Sequence, residues 1–246
     1  MMKFLVFLTK IIVTTIVAIL FSSCKYDFDF GPGIVGDGNV VTETRNNDIQ
    51  INGIEAKRGL DVEVELSSEQ SITVVADKNL QNHISTDISD GILIITCDEN
   101  ISEATSKKVI VKMRSITSLQ ASSAANIIGK NVIKGQNIEL STSSAGEITL
   151  ALEAENVTAE SSSGSSMKLS GKTLKLETHS ASGSVVNATN LLANDVISNA
   201  SSGSDTDINP LVSLKAKSSS GSSITYHGNP KIVKKESSSG GSVSKE

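Results

Sequence analysis

The chain has 246 residues and a formal net charge of −5, with 20% charged and only 3% aromatic residues. A mildly acidic chain without basic clusters lacks the electrostatic footprint for nucleic acid or anionic membrane surfaces. No Phe, Tyr or Trp occurs between Phe30 and Tyr226, so stacking platforms for bases or sugar rings are missing from nearly the whole chain.

Residues 1–23 read as a signal peptide. Lys3 and Lys10 flank a short first stretch, and an apolar run from Ile11 to Phe21 leads into Ser22-Ser23-Cys24. That run suits a signal core and is short for a membrane span. Small residues ahead of a cysteine resemble the cleavage box of bacterial lipoproteins, although Phe21 stands where leucine is usual. Lipidation of Cys24 is therefore expected, anchoring the protein to a membrane without spanning it. The expected location is the outer membrane, on either its surface or its periplasmic side. Residues 24–38 form the expected tether, and Asp27 and Asp29 resemble the acidic export signal of surface lipoproteins in Bacteroides-like bacteria. Removing 1–24, which holds two lysines and no acidic residue, takes the net charge to −7. Cys97 is then the one remaining thiol, which leaves no intramolecular disulfide.

Residues 39–115 are β-rich. Leu60, Val62, Val64 and Leu66 alternate with charged partners; Ile72, Val74 and Ala76 follow, then Ile92 and Ile94, then Val109, Val111 and Met113. Asn46-Asn47-Asp48, Ser67-Ser68-Glu69-Gln70 and Ser89-Asp90-Gly91 are turn signals between these strands. Asp77 to Asn82 allows one short helical turn. These longer strands are expected to start and cap a stack of coils.

From 116 to 246 a Ser-Ser-Gly/Ala step recurs seven times, the fourth copy carrying Ala181 in place of its first serine. It closes at Ala124, Ala145, Gly164, Gly183, Gly203, Gly221 and Gly240, at intervals of 21, 19, 19, 20, 18 and 19 residues. A period near twenty marks stacked coils. Apolar or small residues recur seven, five and three places before each small residue and three places after it, broken by Lys235 in the last copy and Thr206 in the fifth, which reads as short strands with one face inward. Such a coil cannot bury its apolar face alone and must stack on its neighbours. The expected fold is all-β: one domain over 39–246, a right-handed parallel β-helix with coils of about 19 residues. The serine before each small residue (Ser123, Ser144, Ser163, Ser182, Ser202, Ser220, Ser239) is expected to form a structural ladder of inward hydroxyls. At the far end, Lys231, Lys234, Lys235, Lys245 and Glu246 supply charge that discourages edge-to-edge growth.

Catalytic patterns are absent from this reading. Seven equivalent serines do not make one activated nucleophile. His83, His179 and His227 lack metal-ligand spacing. The outward positions Glu139, Thr158, Glu177, Ile197, Lys215 and Lys234 mix chemistries without a focused carboxylate cluster. Asp205 and Asp207, two apart on a strand, share a face and form a weak calcium candidate; the plainer reading is a solvated turn. No catalytic residue, metal or cofactor is expected.

Gly38-Asn39-Val40-Val41-Thr42-Glu43-Thr44-Arg45, the strand start Gly59-Leu60-Asp61-Val62, Ala76-Asp77-Lys78-Asn79-Leu80, the Ser-Ser-Gly/Ala ladder and Tyr226-His227-Gly228-Asn229-Pro230 together resemble the head GIN domain family. Its members are named as auto-transporter adhesins. The resemblance covers about residues 39–243 and implies a β-helix-like fold and, by name, adhesion. The expected function is that of a non-enzymatic envelope lipoprotein presenting a rigid β-helix face to an unidentified protein or polymer. The alternatives are a pectinase-like carbohydrate-active enzyme and a self-associating structural envelope protein.

Overall fold

Alternating side chains resolve the first part of the chain into short strands in the computed structural model, which describes residues 33–45 and 49–246. The signal peptide, Cys24, the tether up to residue 32 and the turn expected at Asn46-Asn47-Asp48 lie outside the described residues. The strands here are β1 (Ile34–Val35), β2 (Val40–Arg45), β3 (Gly53–Ala56), β4 (Asp61–Leu66), β5 (Ser71–Asp77), β6 (Ile84–Ser89), β7 (Ile92–Cys97), β8 (Ile101–Glu103) and β9 (Lys107–Met113). One 3-10 turn, Lys78–Leu80, follows β5.

Stacking order departs from chain order at this end. β7 pairs in parallel with β3, and β9 with β4, so residues 92–113 lie beneath a coil that precedes them in sequence. β6 runs antiparallel to β7, β5 antiparallel to β9, and β2 antiparallel to β5. In β7 the inward side chains are Leu93, Ile95 and Cys97, one position out of phase with the expected Ile92 and Ile94. Residues 92–95 are all apolar, so alternation leaves the facing open and pairing with β3 decides it. The Asp77 carboxylate is buried between the segments of this end. It accepts the backbone N–H groups of Gly38 (3.2 Å), Thr105 (3.1 Å) and Ser106 (3.0 Å).

The second half comprises β10 (Ser118–Ala121), β11 (Asn126–Gly129), β12 (Ile133–Thr142), β13 (Glu147–Ser161), β14 (Ser166–Ser180), β15 (Val185–Ala200), β16 (Asp205–Ser218), β17 (Ser223–Tyr226), β18 (Ile232–Ser237) and β19 (Ser242–Lys245). Its coils stack in parallel, with Leu119 beside Leu140, Ile148 beside Met167, Thr178 beside Ser198 and Val196 beside Leu214. The architecture is a β-solenoid of about 19 residues per coil. Within one coil, Ile148, Leu150, Leu152, Val157 and Ala159 are all buried. Full burial of a Leu, Ile or Val side chain contributes about 1.5–3 kcal/mol, and stacking is what removes these from water. Gly33–Glu246 forms one compact unit.

Each Ser-Ser-Gly/Ala step is a tight corner whose two central residues both have positive φ, from Ser123 (53°) and Ala124 (62°) to Ser239 (49°) and Gly240 (78°). The following amide closes the turn, as Ala125 N–H does onto Ser122 O at 3.1 Å. Two positive φ values are the signature of a type I′ turn, which favours glycine second. This geometry corrects the expected role of Ser123, Ser144, Ser163, Ser182, Ser202, Ser220 and Ser239. At the first central position their side chains point outward and are exposed. Their ladder is one of main chain: each carbonyl accepts the amide of the small residue one coil below, as Ala124 N–H does to Ser144 O (3.0 Å) and Gly164 N–H to Ser182 O (3.1 Å). The inward hydroxyls belong to residues two before and two after. Thr142 donates to Ser161 at 2.9 Å, Ser165 lies 3.0 Å from both, and Ser180 meets Ser204 at 3.1 Å and Thr206 at 2.6 Å.

Candidate functional site

The strands entering each corner stack into a face that presents three outward columns. The first runs Asn137, Asn156, Lys175, Asp195, Ser213, Ile232; the second Glu139, Thr158, Glu177, Ile197, Lys215, Lys234; the third Ser141, Glu160, His179, Asn199, Lys217, Glu236. Period-two alternation makes this face, since Ile138, Leu140, Val157 and Ala159 take the inward positions between them. Pairing is unbroken across these rungs. The register irregularities fall elsewhere in the coils, between Lys168 and Ser170 and from Ala188 to Asp195.

Along the corner side of this face runs an open groove of about 430 Å³, rimmed by Glu160, His179, Asn199 and Lys217 and floored by Ser162 and Ser201. Its floor is low because each rung contributes a small residue there. His179 Nε2 lies 2.9 Å from Glu177 Oε1, which fixes the ring along the rung. The groove offers donors, acceptors and both charge signs at one residue per rung, suited to contact with an extended partner. A second concavity, of about 440 Å³, lies at the next edge of the coil and is apolar. Leu174, Leu192 and Leu211 line it, while Lys134 and Lys172 hold Glu153 at 3.5 and 3.4 Å.

Asp205 and Asp207 do share a face, with Thr206 and Ile208 buried between and beyond them. The Ser223 hydroxyl donates to Asp205 at 2.7 Å. Burial, reinforced by the charge of Asp205, pushes the Asp207 carboxyl up, while His227 partly offsets this. Among the described residues no three His, Cys, Asp or Glu side chains gather to hold a metal ion. His83, His179 and His227 each pair with a carboxylate, respectively Asp98, Glu177 and Glu246, and do not meet one another. Cys97 is a buried free thiol at the end of β7, and burial raises its pKa. Cys24 lies outside the described residues.

Two of the terminal lysines expected to discourage edge growth, Lys235 and Lys245, take a placement that the sequence analysis did not assign. Register puts Lys235 beside Ala216 and Lys245 beside Tyr226, both inward positions. Lys235 Nζ sits 4.5 Å from the centre of the Tyr226 ring, and Lys245 donates to Asn229 Oδ1 at 2.5 Å. The column arithmetic already placed Lys235 where Leu140 and Ala159 stand in other coils.

A family model described as "Putative auto-transporter adhesin, head GIN domain" matches residues 50–230. Several solved structures share the fold. A putative adhesin from Bacteroides fragilis superposes with a TM-score of 0.81 at 18% identity, covering 87% of this chain and 100% of that one. A putative adhesin from Parabacteroides merdae gives 0.71 at 21% identity, covering 87% and 98%. A protein from Parabacteroides distasonis described as a putative lipid binding protein gives 0.70 at 18% identity, covering 87% and 99%. No curated protein matches the chain.

Proposed function

The chain belongs to the head GIN domain family, and from that premise we propose that it is a non-enzymatic, lipid-anchored contact protein of the cell envelope. Cys24 is the anchor, and the solenoid is the rigid body held out from the membrane. The observation that carries this reading is the stacked face with its polar groove, whose four rim side chains come one from each of four successive rungs. Hydrogen-bonded rungs fix their spacing, so an extended protein or polymer meets a preorganised row. Among the described residues no helix is long and apolar enough to cross a membrane.

A carbohydrate-active reading would rest on Asp205 and Asp207. They lie on the strands leaving the corners, outside the groove lining. Neither the family nor the three structures named above is described as an enzyme.

Protease shaving of intact cells tests the reading, with a Cys24→Ala control and a periplasmic marker. Digestion without lysis, lost or displaced in the control, is the expected result. Protection of the unmodified protein until lysis would overturn surface contact and leave a periplasmic role.

A further inference from the structure

The three outward columns of the stacked face complement themselves, and we propose that this face docks a second copy of the chain, face to face with its coil order reversed. A two-fold axis along the strands, midway between the rung of Glu177 and the rung of Ile197, places each column against its own reverse. The first of six rungs then meets the sixth, the second the fifth, and the third the fourth. Glu139 faces Lys234 of the second copy, Glu160 faces its Lys217, and Lys175 faces its Asp195. Symmetry repeats each pair, giving six opposite-charge contacts. The other positions bring Thr158 to Lys215, His179 to Asn199 and Glu177 to Ile197, and no like charges meet.

Neighbouring registers lose this match. Moving the axis onto the rung of Ile197 sets Asp195 against Asp195 and Glu160 against Glu236. Moving it onto the rung of Glu177 sets Lys175 and Glu177 each against themselves. The charge order thus selects one register, as charge patterning does at specific interfaces.

The isolated chain leaves most of these charges without a counter-charge, although Asp195 accepts the Ser213 hydroxyl. Among the described residues, Glu139, Glu160, Lys175, Lys215 and Lys234 form no ion pair within the chain, and Lys217 reaches Glu236 only at 4.0 Å. Lys215 and Lys234 lie directly beside each other on adjacent rungs, an unfavourable like-charge pairing that Glu139 of a second copy, opposite Lys234, would relieve. Six rungs at about 4.8 Å and six residues at about 3.3 Å outline a footprint of roughly 500 Å² per copy. About 1,000 Å² in total is the lower end for a specific contact. The dimer is accordingly weak and salt-sensitive, and because it covers the groove rim, an extended partner engages the monomer in competition with it.

Sedimentation equilibrium of the full chain in mild detergent, at low and high salt, tests this. The unmodified protein should show twice the monomer mass at low salt and revert at about 1 M salt, where the Debye length is ~3 Å. Glu139→Lys with Glu160→Lys should halve the mass, as should Lys217→Glu with Lys234→Glu. Mixing these two variants should restore the dimer, because two of the six contacts return with their signs exchanged and the other four keep their original signs. A monomer at low salt across the accessible concentration range, or variants that remain dimeric, would overturn the proposal. Should either variant fail to fold, judged by its strand circular dichroism, the salt series on the unmodified chain still decides. Mass does not depend on cellular location, so this test and protease shaving can fail separately.

Discussion

The Gly59 amide donates to the Ser123 carbonyl at 2.9 Å, so the corner at Arg58-Gly59 is the rung directly beneath the first Ser-Ser-Ala step. Arg58 and Gly59 have the same pair of positive φ values, 56° and 66°. The corner column therefore extends below the periodic half of the sequence.

Alanine closes the first two periodic corners, at φ 62° for Ala124 and 61° for Ala145. A Cβ in the left-handed region costs about 1–2 kcal/mol, while glycine gives back about 0.4–1 kcal/mol through the unfolded chain. Ala124→Gly and Ala145→Gly should each stabilise by about 0.5–1 kcal/mol, and Gly183→Ala should destabilise by a similar amount. Urea denaturation midpoints check this; three unchanged midpoints would show that the corners carry no strain.

Ser163 and Ser165, two residues apart, should respond oppositely to loss of the hydroxyl. Ser165 Oγ accepts the Ser162 amide at 3.1 Å and lies 3.0 Å from Thr142 Oγ1 and Ser161 Oγ, all inside the coil. Ser165→Ala leaves buried polar groups unpaired and should cost about 1–3 kcal/mol. Ser163→Ala, at the exposed corner, should stay within about 0.5 kcal/mol. Equal effects in thermal unfolding would contradict the assignment of the inward column.

These two serines also show how far the sequence could be read. Period, strand positions and inward aliphatics followed from spacing, because a stack repeats its contacts at every coil. Which serine faces inward did not, since alternation is interrupted at a corner whose backbone has left the extended region. The Arg58-Gly59 corner was missed because its stacked neighbour, the corner at Ser123-Ala124, lies 65 residues later and not one period away. The groove row Glu160, His179, Asn199, Lys217 was visible as a polar column. Its charge order acquires meaning only once register fixes which rungs are neighbours.

Lys235 and Lys245 occupy inward positions of the last coil, so another strand laid on β18 or β19 would have to bury two ammonium groups. Inward charge is a recognised guard against edge pairing. Lys235→Val combined with Lys245→Val should turn the protein into concentration-dependent end-to-end oligomers. Light scattering across a dilution series reads this out, and a variant no larger than the unmodified protein would show that the lysines do not guard the edge.

Asp77 should set the acid limit of the N-terminal end. Burial pushes its carboxyl up, but hydrogen bonds from the Thr105, Gly38 and Ser106 amides outweigh this and hold it below the usual aspartate range. A depressed folded pKa contributes stability that is complete above the unfolded value of ~3.9 and is lost as pH falls through the folded value. Asp77→Asn should lower stability at neutral pH and flatten the decline below about pH 4. An acid limb as steep as that of the unmodified protein would exclude Asp77 as its source.

Because β3 and β4 are sandwiched between residues 92–113 below and 118–129 above, the order of synthesis cannot be the order of assembly. The earliest coil must wait, with both its edges open, until Met113 has been made and threaded beneath it. Growth can then proceed only in one direction, coil by coil toward Lys245. Such long-range closure slows nucleation relative to elongation, and it ties every later turn of the solenoid to one late event near its base.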